Sequence, residues 1–289
     1  MYDDILVPFD GSDGATSVLY HVGEIATRTD ATVHVLYVAD TDRDSVSVVR
    51  GRAIDALVAE GEDVVDEAAG VLASLGVDHE TDVIQGNPVS TIVAYADRTD
   101  QDLIAMATHG RSGIARFLAG SVSERVVRLS SVPVLTARMK ADERLSFPYE
   151  HVVVATDGSD GAARGERHGV SLAATLDATL HAVSIVDDDG LAAGVRAALA
   201  DAGDEIAEAA VEDLVDDAEA AGVETRRHVG HGTPVEGIVE YVESNDVDAV
   251  VMGTTGRRNT DRILLGSVAE QTVRTAPVPV ITVGDPDGD

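Results

Sequence analysis

Short apolar runs alternate with longer segments of helical periodicity along the whole chain. Residues 4–8 form an apolar run, Asp-Gly-Ser-Asp-Gly follows as a turn, and a helix is predicted over 14–29. The β-branched run 31–38 is too short and too Val-rich for a helix and predicts a strand. A long helix is predicted over 52–75, where Ile54, Leu57, Val58, Val64, Val65, Ala68, Ala69 and Leu72 recur at helical spacing. Strands follow at 77–84, 102–107 and 132–137, with helices at 88–99 and 120–130 between them. The order then starts again, with its long helix at 191–221. Strands alternating with helices of this length imply an α/β fold with a parallel sheet, five strands to each copy.

The second half is a duplicate of the first. Ile5–Gly14 recurs as Val152–Gly161, and Ala31–His34 as Ala178–His181, both at an offset of 147. The offset becomes 146 for Gly86–Val89 with Gly232–Val235, Gly120–Val122 with Gly266–Val268, and Val132–Val134 with Val278–Val280. Between 86 and 136, 24 of 51 aligned positions are identical, too many for shared composition bias. Two domains follow, 1–140 and 149–285, with a short polar join at 139–149.

Composition narrows the chemistry. With 52 Asp+Glu against 21 Lys+Arg, the 289-residue chain carries a formal charge of −31. The hydrophobic fraction of 44 % is enough for a core in each domain, so this is a folded protein with a carboxylate surface rather than an acidic coil. Of the cations only Lys140 is lysine. Such a surface suits a salt-loving organism with molar internal salt, where the screening length is about 3 Å. There are no cysteines, which excludes disulfides, thiolate metal sites and thiol nucleophiles. Clustered cations for nucleic acid are missing, and no apolar run approaches the roughly 20 residues of a membrane span. The acidic start Met1-Tyr-Asp-Asp is unlike a basic signal peptide, so the expected location is cytoplasmic.

In a parallel α/β sheet, ligands bind beyond the carboxyl ends of the strands, where helix N-termini face outward. Asp10-Gly-Ser12 and Asp157-Gly-Ser159 fall there, as do the ends of the second strands around Val38 and Ile185. The richest segment follows the fourth strand: 106–122 in copy one, 252–268 in copy two, each Gly-containing and ending in Gly-Ser-Val. Glycine lets a backbone approach a ligand closely, and Gly-Ser at a helix start supplies a hydroxyl and free amides for an anion. Each segment lies in an Arg-enriched stretch: Arg111, Arg116, Arg125 and Arg128 against Glu124, then Arg257, Arg258, Arg262 and Arg274 against Asp261 and Glu270. In so acidic a chain these stretches are the expected anion site.

Gly-x-x-Gly, nine residues, then Gly-Ser resembles the nucleotide motif of the universal stress protein family. Copy two carries it whole, as Gly253, Gly256 and Gly266-Ser267; copy one has Gly110 and Gly120-Ser121, with Ala107 where the first glycine is expected. Val-Pro-x-Asp-Gly-Ser, Gly-x-Pro at 86–88 and 232–234, and the closing Val-Pro-Val are also similar to that family. The resemblance implies two tandem Rossmann-like, adenine nucleotide alpha-hydrolase-like domains. It implies ATP (or AMP or ADP) as ligand, with Mg or Mn bridging the phosphates. Asp10 and Asp157 would contact the nucleoside, and the backbones of Val38 and Ile185 the adenine. Gly110, Gly120, Ser121 and Val122, and Gly253, Gly256, Gly266, Ser267 and Val268, would wrap the ribose and phosphates. The methyl group of Ala107 is expected close to the ligand. The resemblance further implies an intramolecular pseudo-dimer through 132–137 and 278–283, and a further homodimer of the chain.

Other signals carry less. No Gly-x-x-x-x-Gly-Lys-Ser/Thr is present, and Lys140 lies in the join, which excludes a P-loop NTPase. The Asp10 segment lacks the position-12 acid of a calcium loop and reads as a strand-to-helix turn capped by Ser12 or Asp13. Ser121 and Ser267 have no histidine base placed by sequence, and the counterpart of His109 is Thr255. His34 and His181 read as packed strand histidines, and the acidic runs 187–189 and 213–217 as a solvated face. Besides a regulatory nucleotide-binding protein, two readings stay open: a nucleotide-free dimerising regulatory module, which Ala107 favours, and a slow ATPase or autophosphorylating protein, at most weakly catalytic.

Overall fold

The computed structural model describes residues 1–40, 52–108, 122–140, 142–188, 193–255 and 265–284. They form two units, Met1–Met139 and Lys140–Asp289. In the first the order is β1 (Asp4–Pro8), α1 (Asp13–Thr29), β2 (Thr32–Ala39), α2 (Arg52–Leu75), β3 (His79–Gln85), α3 (Pro88–Arg98), β4 (Leu103–Ala107), α4 (Val122–Leu129) and β5 (Val134–Ala137). The second repeats it: β6 (His151–Ala155), α5 (Asp160–Leu176), β7 (Thr179–Asp187), α6 (Ala193–Ala220), β8 (Thr225–Gly232), α7 (Pro234–Ser244), β9 (Ala249–Gly253), α8 (Ser267–Thr275) and β10 (Val280–Val283). Within each unit every strand pair is parallel, in the orders β3-β2-β1-β4-β5 and β8-β7-β6-β9-β10. This is the α/β fold expected, with five strands in each sheet.

The central strands are buried on both faces, which is why they read as unbroken apolar runs. Ile5, Leu6 and Val7 are 0 % exposed, as are Val152, Val153 and Val154. The third strand departs from its predicted start at 77 because the preceding helix claims those residues. Gly76 has φ 73° and its N–H donates to Ala73 O, while Val77 N donates to Leu72 O, a left-handed helix ending. Gly222 (φ 81°) and Val223 end α6 in the same way. The polar join is fastened to the second unit: Arg144 N donates to Pro277 O at 2.7 Å and Arg144 Nη2 to Val247 O at 3.0 Å.

Candidate functional site

In each sheet the connections leave the central strand and its β4-type neighbour in opposite directions, which opens a crevice at their carboxyl ends. The turn after β1 enters it. Asp10 Oδ1 accepts from Ser12 N at 3.0 Å, and Ser12 Oγ accepts from Ala15 N at 3.2 Å, so Ser12 rather than Asp13 caps α1. The second unit repeats this at Asp157, Ser159 and Ala162, with distances of 3.1 and 3.2 Å. Both aspartates therefore sit at the expected place, each held by one carboxylate oxygen to the turn behind it.

Backbone direction at Val38 and Ile185 follows from the hydrogen bonds of the strands before them. Leu36 O accepts from Phe9 N at 2.9 Å, so even-numbered residues of β2 point their amides toward β1. Two residues on, Val38 points the same way beyond Pro8, where β1 has ended. Likewise Val183 O accepts from Thr156 N at 2.9 Å, and Ile185 points its N–H and C=O past the end of β6.

The third segment is described at its two ends. Thr254 N donates to Val283 O at 3.0 Å and Thr254 O accepts from Gly266 N at 2.7 Å, which brings Gly266 back beside the end of β9. Gly266 is the N-cap of α8 and offers no side-chain cap, so the helix starts on bare backbone beside exposed Ser267 and half-buried Val268. In the first unit Thr108 N donates to Ala137 O at 2.8 Å, Ser123 Oγ to Thr108 O at 3.4 Å, and Val122 opens α4. Gly110, Gly120, Ser121 and Gly256, with His109 and Arg111, Arg116, Arg257, Arg258 and Arg262, lie outside the described residues.

Two sequence expectations change. Arg128 and Arg274 stand in the last turns of α4 and α8, the ends away from the loop, and Arg274 Nη2 meets Glu270 Oε1 at 3.0 Å. They belong to helix surfaces rather than to the anion site. Gly253 is the second change. A Cβ there would overlap Gly161 O of α5 and lie 2.6 Å from Gly161 C; one at Gly165 would lie 2.7 Å from Gly253 N. The space on the Cβ side of Gly253 is thus occupied by the backbone of α5. The equivalents of Gly165 and Gly253 in the first unit are Val18 and Ala107, a paired change in helix–strand packing.

Sequence reasoning missed one polar pair. Thr156 Oγ1 donates to Glu166 Oε1 and accepts from Gly158 N at 3.0 Å, bracing the turn that carries Asp157. Burial raises the Glu166 pKa and nearby Asp157 adds to the rise, while the Thr156 hydrogen bond opposes it. At the 147-residue offset the same pair is Phe9 and Leu19, both buried, so the duplication itself held the signal. Among the described residues no group of three or more His, Asp or Glu is placed to hold a metal ion. None of their helices is long and apolar enough to cross a membrane.

A twice-repeated five-stranded parallel sheet, with an Asx turn after the first strand of each copy, defines a duplicated α/β protein. The universal stress protein family model matches residues 1–138 and again 148–284, and the chain belongs to that family. A universal stress protein of Methanocaldococcus jannaschii, MJ0531, is 36 % identical over 146 residues, covering 50 % of this chain and 86 % of its own. A second from that organism, MJ0577, is 29 % identical over 157 residues, covering 48 % and 97 %. The crystal structure of a universal stress protein from Archaeoglobus fulgidus aligns along 99 % of this chain and 98 % of its own, with TM-score 0.75 and 25 % identity.

Proposed function

We propose that the chain binds an adenine nucleotide, ATP foremost, at the carboxyl end of each sheet and holds it as a regulatory ligand with little turnover. The observation that carries this is the second unit's crevice, where the strand-end backbone of Ile185, the turn at Asp157 and the glycine-capped start of α8 converge on one sheet end. Asp10 and Val38, with Gly110, Gly120, Ser121 and Val122, make the first site. Asp157 and Ile185, with Gly253, Gly256, Gly266, Ser267 and Val268, make the second. Gly253 acts there through packing. Any Mg or Mn would be held through the phosphates. A packing role for Ala107 would weigh against the nucleotide-free module.

The domains are assigned to 1–140 and 149–285 and the protein to the cytoplasm. The two halves are proposed to pair through 132–137 and 278–283 as an intramolecular pseudo-dimer.

Equilibrium dialysis against Mg-ATP in molar KCl should show saturable binding at two sites per chain. No saturable binding at millimolar ATP, with the fold intact by circular dichroism, would overturn the reading. Gly266→Val should halve the stoichiometry. Its φ of −61° and ψ of 141° suit valine, so the loss would report the site rather than backbone strain.

The charge of −31 is assigned to a halophilic surface. Tm should rise steeply as KCl is raised from about 0.1 to about 3 M, because screening relieves self-repulsion. An unchanged Tm over that range would count against halophily.

A further inference from the structure

At the amino-terminal ends of the strands, opposite the crevice, the two units carry the same scaffold with opposite chemistry. In unit one, His34 of β2 places Nε2 2.7 Å from Asp4 Oδ1 of β1 and Nδ1 3.7 Å from Glu80 Oε2 of β3. Tyr95 of α3 donates its hydroxyl to Asp82 Oδ2 at 2.6 Å. Strand register fixes the equivalents. Asp4 pairs with Thr32 as His151 pairs with Thr179, and His34 with Glu80 as His181 with Arg226. Asp82 opposite Leu36 becomes His228 opposite Val183. The two carboxylates beside the first histidine, and the one on its neighbouring tyrosine, are histidine or arginine at the equivalent positions of the second unit.

The outcome in unit two is a chain of rings. His181 is 0 % exposed; its Nε2 lies 3.2 Å from His151 Nδ1 and its Nδ1 3.0 Å from the Tyr241 hydroxyl. His151 and Tyr241 stack edge-on against it, with centroids 5.2 and 5.7 Å away, and His228 lies against Tyr241 at 4.5 Å.

We propose that the His151–His181–Tyr241 chain is an acid-sensitive latch of the second unit, opening the amino-terminal ends of β6 and β7 and the end of α7 while the matching corner of the first unit stays closed.

The logic is donor and acceptor balance. Two neutral imidazoles share one proton across a 3.2 Å contact; once both facing nitrogens carry protons they repel and the contact cannot form. The groups facing His181 make matters worse for a second positive charge. β6 contributes His151, β8 contributes Arg226, and α7 contributes Tyr241; His228 of β8 lies against Tyr241, with Glu240 as the acid on that side. Asp248 is committed to the backbone N–H groups of Glu150 and His151, at 2.8 and 2.9 Å. Burial accordingly lowers the His181 pKa to about 4, with His151 and Arg226 adding to it. In unit one His34 faces the carboxylates of Asp4 and Glu80 instead.

Hydrogen exchange read by mass spectrometry at molar KCl tests this, because both units report in one sample. Buried His21 and His168 are equivalent and push both units the same way, so the ratio between units isolates the latch. Between about pH 7.5 and 5.5, opening of β6, β7 and α7 should increase about tenfold more than that of β1, β2 and α3, after correction for intrinsic exchange. His151→Asp, which installs the pairing of unit one, should abolish the excess. Asp4→His should create it in the first unit. A ratio that does not change with pH, or an excess that survives His151→Asp, overturns the proposal. If either variant fails to fold, imidazole nitrogen NMR of the native protein decides. His181 must stay neutral until the latch region opens, and its protonation within a closed unit near pH 6.5 would sink the idea.

Discussion

Gly253→Ala is expected to destabilise the second unit by about 3 kcal/mol or more, a loss of roughly 10 °C in its Tm. The added methyl has nowhere to go, because it meets the Gly161 carbonyl of α5 and neither partner is a side chain that can rotate away. Relief requires α5 to move off β9. That in turn disturbs Gly165, where a Cβ would already stand 2.7 Å from Gly253 N and 2.8 Å from Met252 C. Ala107→Gly in the first unit should cost only about 0.5–1 kcal/mol, the strand penalty of glycine relative to alanine. Thermal unfolding of the two variants measures the contrast. Molecules of Gly253→Ala that remain folded should bind nucleotide as before. A variant that melts like the native protein yet binds nothing would return the methyl group to the ligand side of the strand.

Acid should unfold the protein between pH 6.5 and 4, well before its carboxylates are all protonated. His21 on α1 is 2 % exposed and burial lowers its pKa from 6.5 to about 4. His168 on α5 keeps more surface but burial carries its pKa to the same value. The sign follows from which state takes up the proton. Below pH 6.5 the unfolded chain binds it and the folded chain does not, so stability present at neutral pH is lost as pH falls toward 4. For His21 the loss amounts to about 3 kcal/mol, and for the less enclosed His168 to somewhat less. Both His21→Leu and His168→Leu should move the acid midpoint down, with the double change moving it further. Circular dichroism against pH at constant KCl follows this directly. Midpoints that do not change in the leucine variants would place acid sensitivity in other groups.

Much of the fold was legible because its cause is local. The runs Ile5–Val7 and Val152–Val154 are apolar on both faces, as a central parallel strand requires, and Ser12 and Ser159 cap their helices by a hydrogen bond three residues long. Errors at element ends came from competition that composition does not show, as where Gly76 and Val77 finish α2 instead of opening β3. Among the candidate residues, Asp10, Asp157, Val38 and Ile185 could be placed at strand ends from position alone, since strand order puts strand ends together. Arg128 and Arg274 could not be excluded that way, because net charge in a window says nothing about which end of a helix a residue occupies.

Duplication, the alternation of strand and helix, and the family's glycine pattern are all written in the order of residues, since each depends on neighbours a few positions apart. What surrounds Gly253, that Thr156 bonds to Glu166 beside the Asp157 turn, and that Asp4 and Glu80 lie beside His34 as His151 and Arg226 lie beside His181 emerge only from the folded chain. These depend on distances between residues tens of positions apart. Parallel strand register and close helix packing set those distances, and no local pattern records them.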